Sequence, residues 1–254
     1  MNSLNTDLPL ADSGDLIAQV GKYSVRQNDT YRWLQEGSSI QSMMDRKQPS
    51  RLVLPMHHAM FLAIAAAENP SRILNLGCGL GALERKMASD FPFLDCISVD
   101  ASVEIIELAK KFFFLPCGQG FTIARAEQYL QQDKQKYDVV FVDLFEQESL
   151  AECLYEATFY QGMSQRLGVR GVVSINLIPN DQADLLRILL LLRKFFPTVW
   201  LAEVSGRSNI VLLGAKFEPK NLLQLVSDNE QGTGAVGFDP QKMALEFLLL
   251  PQKN

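Results

Sequence analysis

Cysteine, histidine and long apolar runs are all scarce in this chain. The four cysteines (Cys78, Cys96, Cys117 and Cys153) are scattered over 254 residues. They show neither the paired spacing of a thiolate metal site nor the density of a disulfide framework, and a reducing, cytoplasmic setting is the expectation. The two histidines, His57 and His58, are neighbours. On a helix they point to different faces, and no further ligand stands at metal spacing, so packing or surface positions are expected for them and no metal. The most leucine-rich stretch, Leu185 to Phe196, is interrupted by Arg187 and Arg193. It falls short of the roughly eighteen apolar residues of a membrane span, reads as a buried helix, and gives no reason to expect a membrane partner. Positive charge is not in excess either: 24 lysines and arginines face 29 aspartates and glutamates. That balance argues against a nucleic-acid partner, since a phosphate backbone needs a basic surface. The first twenty residues have no basic start and no sustained apolar core, so no signal peptide is expected.

What is present is apolar material in a regular rhythm. Hydrophobic residues make up 47% of the chain and charged residues 21%, suited to one large α/β domain, alone or with a small appendage. Residues 1–20 are expected to lack regular structure. After them "KYSVRQND" and "YRWLQEGSSIQS" read as two short strands about the Asn28-Asp29 turn, with Gly37 marking a second turn. The expected division is a tail and small β region over 1–52 and an α/β domain over 53–254. Pro55 opens a helix pattern running to Glu68.

From Ser71 onward, "RILNLG", "CISVD", "FTIA", "YDVVFVDLF" and "GVVSINLI" are short β-rich runs, most of them separated by helix-like segments of about a dozen residues, as in a parallel sheet. Several show little alternation, which fits strands covered on both faces. The last two runs, "TVWLAEV" and "NIVLLGAK", are joined only by "SGRS". So short a link cannot make a parallel crossover, so these strands should pair antiparallel. A parallel sheet closed by such a hairpin is the pattern of the seven-stranded, Rossmann-like class I S-adenosylmethionine methyltransferase fold, here with a small N-terminal β-hairpin appendage. A helix-like segment, a polar turn at "NEQGTG" and the apolar "QKMALEFLLL" follow Phe217.

The chemistry-bearing stretch is "RILNLGCGLGAL", with Gly77, Gly79 and Gly81 at alternate positions. At the carboxyl end of a strand such glycines remove the Cβ atoms that would block a nucleoside, and the following helix offers free N–H groups. The same glycines could serve only a tight turn. Asp100 ends "CISVD" where the second strand of a βαβ unit should end, placed to accept two hydrogen bonds from a ribose diol. Asp100 or Ser102 could equally cap the helix that follows. Together the two features point to a nucleoside ligand. Asp138, at the far edge of the sheet, is expected to be structural. Arg207 is expected to sit in a solvated turn.

At "DASVEIIELAKKFF", "YDVVFVDLFEQES", "ATFYQGMSQRLGVRGVVSINL" and "YRWLQEGSSIQSMMD" the sequence resembles the polyamine aminopropyltransferases, the spermidine and spermine synthases, over roughly residues 22–216. The resemblance implies that Gly77, Gly79 and Gly81 contact the nucleoside–sulfur donor, that Asp100 binds its ribose, and that Gln41 lies near it. It puts Ala126 and Glu127 at the adenine, Glu146 at the substrate, and Asp143 in the catalytic loop, where a carboxylate orients the attacking amine and takes its proton. The donor it implies is S-adenosylmethionine or decarboxylated S-adenosylmethionine. The product would be methylthioadenosine or S-adenosylhomocysteine, the acceptor a small-molecule amine or other small acceptor, and the assembly a possible homodimer.

Departures from the family pattern are specific. Leu80 stands where the glycine loop of the family carries an aspartate, Arg125 where an aspartate meets the adenine amine, and Gln147 where the catalytic loop has proline. The family's tyrosine before the first main-domain helix falls near Pro55 or Met56. Two other readings follow: an S-adenosylmethionine-dependent methyltransferase, since losing the aspartate removes a repulsion against the methionine carboxylate, and a non-catalytic nucleoside-binding or interaction protein on the same fold.

Overall fold

The apolar runs become strands because both of their faces are covered. The computed structural model describes residues 9–10, 13–67, 69–116, 120–146, 149–204, 207–217 and 247–249. The segment at "NEQGTG", Cys117, Gln147 and Glu148 lie outside them. Four N-terminal strands come first: β1 (Asp15–Val20), β2 (Tyr23–Gln27), β3 (Tyr31–Glu36) and β4 (Ser39–Asp45), a meander in that order. The expectation of irregular structure through residue 20 is corrected here. Asp15–Val20 pairs antiparallel with β2 across the two-residue turn Gly21-Lys22, where Gly21 adopts φ +53°. Strand β1 is exposed along most of its length, so it lacks the one-sided apolar pattern by which a strand is recognised.

The larger layer begins with α1 (Pro55–Ala66), which carries Pro at its first turn and buries nine of its residues. Then come β5 (Arg72–Leu76), α2 (Ala82–Asp90), β6 (Asp95–Asp100), α3 (Val103–Phe112), β7 (Gly120–Ile123), α4 (Ala126–Gln132) and β8 (Tyr137–Val142). Two short strands, β9 (Phe145–Glu146) and β10 (Ser149–Leu150), pair with each other. They precede α5 (Ala157–Arg166), β11 (Leu167–Leu177), α6 (Gln182–Leu192), β12 (Thr198–Glu203), β13 (Ile210–Ala215) and β14 (Phe247–Leu249). The sheet order is β14-β12-β13-β11-β8-β5-β6-β7. Strands β5, β6, β7, β8 and β11 are parallel. Strand β13 inserts antiparallel between β11 and β12, the expected closing hairpin. The seven expected strands are all there, and β14 adds an eighth at the edge, antiparallel to β12.

Alternate residues of each central strand enter different cores. Ile73, Val139, Phe141 and Val172 pack with α1 and with Leu83 and Met87 of α2. Leu74, Val140, Val142 and Val173 pack with Leu130, Phe159, Ile188 and neighbours from α4, α5 and α6. A third cluster joins the N-terminal sheet to the rest: Val25, Leu34 and Met44 meet Leu80, Ile106, Phe113 and Leu115. The N-terminal strands are thereby fastened over the carboxyl ends of the parallel strands, the place where open α/β sheets bind ligands. Asp138 is structural, its Oδ2 accepting from the N–H groups of Ser71 and Arg72 and from the Ser71 hydroxyl. No helix among the described residues is long and apolar enough to cross a membrane.

Candidate active site

Gly77 follows β5 at φ +92°. A Cβ there would lie 2.1 Å from the carbonyl oxygen of Asp143, so the bare glycine lets the ends of β5 and β8 meet. One backbone bond joins them, the Asp143 N–H donating to Leu76 (2.9 Å), and the Gly77 N–H donates to Val99 of β6 on the other side (2.8 Å). Gly79 adopts φ +52°, with nothing within 4 Å of where its Cβ would be. Gly81, at φ +75°, caps α2, and a Cβ on it would strike Leu115. Arg85 secures this loop from below by donating to the carbonyl oxygens of Leu80 (2.5 Å), Phe113 (2.8 Å) and Pro49 (2.8 Å). Burial lowers the Arg85 guanidinium to about 10.

Asp100, at the end of β6, accepts from the N–H groups of Gly79 (2.9 Å) and Ser102 (2.8 Å). The helix cap is a different residue: the Ser102 hydroxyl accepts from the Ile105 N–H (3.2 Å). A carboxylate has about four acceptor positions, so Asp100 keeps capacity for a ligand after closing the glycine loop. Burial pushes its carboxyl up, opposed by these N–H groups.

Asp143 stands just past β8. Its Oδ1 accepts from Asn176 Nδ2 (2.8 Å), and Asn176 Oδ1 accepts in turn from Asn209 Nδ2 (3.0 Å). Its Oδ2 lies 3.7 Å from Nε2 of His57, in the first turn of α1. Gly79, Asp100, Asp143, His57, Asn176 and Asn209 all line one cavity of about 520 Å³, roofed by residues of β4 that include Gln41. Of the two positions expected for His57, packed or at the surface, it takes the packed one, and it also borders this cavity. It is buried, 7% exposed, and aimed at Asp143. Its neighbour His58 packs as well, its Nε2 2.9 Å from the Leu52 carbonyl oxygen, and burial lowers it to about 4. Arg207, expected in a solvated turn, is exposed and also borders the cavity.

The remaining positions lie elsewhere. Leu80 borders the cavity but is 3% exposed and packed among Val25, Leu34, Met44 and Phe113. Arg125 bridges Glu127 (2.5 Å) and Glu146 (2.7 Å). Ala126 begins α4 and is buried. Neither it nor the two glutamates border the cavity. No group of three or more metal-ligating side chains comes together among the described residues. The only sequence signal for His57 was its place one residue beyond the expected tyrosine position; nothing flagged Asn176 or Asn209.

Comparison with known proteins decides the family. The model of the spermine/spermidine synthase domain matches residues 56–184, half of the sequence. The chain belongs to the spermine/spermidine synthase family. A polyamine aminopropyltransferase of Neisseria meningitidis is 26% identical over 226 residues, 86% of each chain. Among solved structures, a probable spermidine synthase from Corynebacterium glutamicum superposes with a TM-score of 0.69 at 17% identity, covering 94% of this chain and 91% of that one. Human methyltransferase-like protein 13, solved with S-adenosylhomocysteine, gives 0.67 at 21% identity over 73% of this chain and 96% of its own. These two structures share the fold. Family membership makes the chain an enzyme of transferase type, and the strand ends that gather the glycine loop, Asp100 and Asp143 are where such a fold places its reaction.

Proposed function

We propose that this member of the spermine/spermidine synthase family transfers an aminopropyl group from decarboxylated S-adenosylmethionine to a small amine. The observation that carries the reading is the meeting of Asp143 with the glycine loop and Asp100 in one cavity at the strand ends. The residues fit a nucleoside donor. Gly79 leaves open the space a Cβ would fill, and Asp100 retains acceptor capacity for a ribose diol. The donor supplies a sulfonium carbon open to displacement. Asp143 holds the acceptor ammonium and, fixed by Asn176, orients the nitrogen once it is deprotonated. Gln41 and the backbone of Gly79 complete the donor's surroundings, while Gly77 and Gly81 shape the loop without lining the cavity.

The acceptor is read from the carboxylates on offer. Glu127 and Glu146 are engaged by Arg125, and Glu36, at the cavity rim, pairs with Lys22 at 2.7 Å. Among the described residues Asp143 is left as the carboxylate for one ammonium, which favours a monoamine or a diamine held at one end. Leu80 favours a second reading, methyl transfer from S-adenosylmethionine, because an apolar side chain stands where an aspartate would hold the donor amine.

Thermal shift measurements with decarboxylated S-adenosylmethionine, S-adenosylmethionine, methylthioadenosine and S-adenosylhomocysteine separate these readings. A ligand at a hundredfold excess over its Kd adds about 2.7 kcal/mol, or roughly 5–10 °C for a chain of this size. Preference for the decarboxylated donor and methylthioadenosine supports aminopropyl transfer. Preference for S-adenosylhomocysteine supports methyl transfer, and no shift with any of the four overturns both.

A further inference from the structure

We propose that His57 is a second catalytic residue, the group that takes the proton from the acceptor nitrogen while Asp143 holds it. The proposal rests on the transferase reading above and adds a group to its site. The gap of 3.7 Å between His57 Nε2 and Asp143 Oδ2 is too long for a direct hydrogen bond and leaves room for one polar atom, a water oxygen or an amine nitrogen, to bridge it from the side. A single nitrogen can stand at hydrogen-bond distance from both atoms. The two side chains thus frame a position for one nucleophile, and both border the cavity that the glycine loop enters.

The ring is held for this role. His57 is buried to 7% exposure in the first turn of α1, a helix packed against β8, β11 and β13. Its Nδ1 is buried with no hydrogen-bond partner, so no protein acceptor competes for the ring on its far side. Asp143 is itself fixed by the Asn209–Asn176 chain, which leaves Oδ2 as the oxygen turned to the imidazole. Chemistry favours the division of labour. A carboxylate attracts an ammonium but is a weak base towards it, whereas imidazoles titrate closest to neutral pH and make the more efficient proton acceptors there.

The step balances. The acceptor ammonium gives a proton to Nε2, forming an imidazolium and a neutral amine. The amine lone pair forms the new N–C bond as the C–S bond breaks, and that electron pair returns the sulfonium to a neutral thioether. The product leaves as a protonated secondary amine, and the imidazolium releases its proton to water. The groups that bear on the charge of His57 are Asp143 across the 3.7 Å gap, the adjacent His58, the N-terminal turn of α1, and Asp100, Arg207, Lys22 and Glu36 around the cavity. Asp143 is the nearest anion.

The test uses the fact that the chain has only two histidines, so their imidazole resonances are assigned by single substitution. In NMR spectra of the full-length protein at fixed pH, Asp143→Asn is expected to shift the His57 imidazole resonances and leave those of His58 in place. With the donor and acceptor that give turnover, His57→Gln should lower kcat about a hundredfold, change KM less than threefold, and remove the acid limb of the pH–rate profile. In His57→Ala, added imidazole should restore part of the rate. His57 resonances indifferent to Asp143→Asn overturn the pairing even if no donor has been found. A wild-type rate and pH profile in His57→Gln overturns the proton role while leaving the transferase reading intact. Absence of any donor binding by the wild type counts against the transferase reading and so against the catalytic step, while the imidazole resonances still decide the pairing.

Discussion

Replacing Gly77 by alanine should damage the fold and the chemistry together. The added Cβ would lie 2.1 Å from the Asp143 carbonyl oxygen and 2.8 Å from its carbonyl carbon. Both are backbone atoms, and ordinary contact begins near 3.4 Å, so one strand end must retreat by about 1 Å. Retreat is resisted by the Asp143–Leu76 and Gly77–Val99 backbone bonds at 2.9 and 2.8 Å. The φ of +92° adds strain of its own for an L side chain. Left-handed strain of ~1–3 kcal/mol plus the partial loss of one such bond gives a destabilisation of about 2–4 kcal/mol.

At 2–4 °C per kcal/mol for a chain of this size, the melting temperature should fall by roughly 10 °C. If the strand end of β8 yields, Asp143 moves with it, and a shift of about 1 Å at a positioned group costs on the order of a hundredfold in rate. The assay is melting by circular dichroism without ligand, followed by turnover at saturating substrate. Gly79→Ala is the internal comparison. With φ +52° and open space at its Cβ, it should lose only ~1 kcal/mol, yet lose most ligand-induced stabilisation because the methyl group enters the donor's space. A Gly77→Ala protein melting within about 2 °C of wild type, with an unchanged rate, would refute the account of how these strand ends are joined.

Leu80→Asp places a carboxylate in the cluster of Val25, Leu34, Met44 and Phe113 and should destabilise the chain by roughly 3–5 kcal/mol at neutral pH. Thermal shifts should then show decarboxylated S-adenosylmethionine recovering more stability than S-adenosylmethionine, and equal recovery would separate this position from donor choice. His58, lowered to about 4 by burial, takes its proton later in the folded than in the unfolded chain. It therefore contributes stability that is full above its ordinary 6.5 and lost as pH falls towards 4, about 3 kcal/mol in all. Urea unfolding at pH 7 and pH 4.5 should show His58→Gln losing less stability on acidification than wild type. Glu84 is fully buried, and burial raises its carboxyl despite bonds from Asn75 and Ser98, each 2.6 Å. A raised carboxyl costs stability as pH climbs through its folded value, so Glu84→Gln should melt higher than wild type at pH 8 and no higher at pH 4.

The fold was legible where burial is two-sided. Strands such as β5, β8 and β11 send alternate residues into different cores, so they stand out as unbroken apolar runs between polar helices. Strand β1 escaped because its residues face solvent on both sides and its existence depends on pairing with β2. The same contrast governs the site. Gly77, Asp100 and Asp143 each follow or end a strand, and strand ends can be counted along a chain. The role of His57 cannot be counted: its partner is Asp143, which only the docking of α1 against the sheet brings near. Glu127 and Glu146 show the opposite case, free carboxylates in the sequence that a single arginine ties up in space.

Leu80 connects the two halves of the problem. In the family's pattern its position carries an aspartate that a donor amine would meet, and here it is part of the apolar seam fastening the N-terminal sheet over the cavity. Val25, Leu34 and Met44 come from three different strands of that sheet, and Phe113 from the end of α3. An aspartate in this setting would need water or a cation beside it. The seam's side chains are apolar, so the loss of the carboxylate goes with the packing of the N-terminal sheet over the glycine loop. In the proposed complex the donor's ribose falls to Asp100, beside the loop backbone. Recognition of the acceptor falls to Asp143 with its two polar flanks, Asn176 on one side and His57 on the other. The proposed site therefore sets one carboxylate and one imidazole, 3.7 Å apart, around a single acceptor nitrogen.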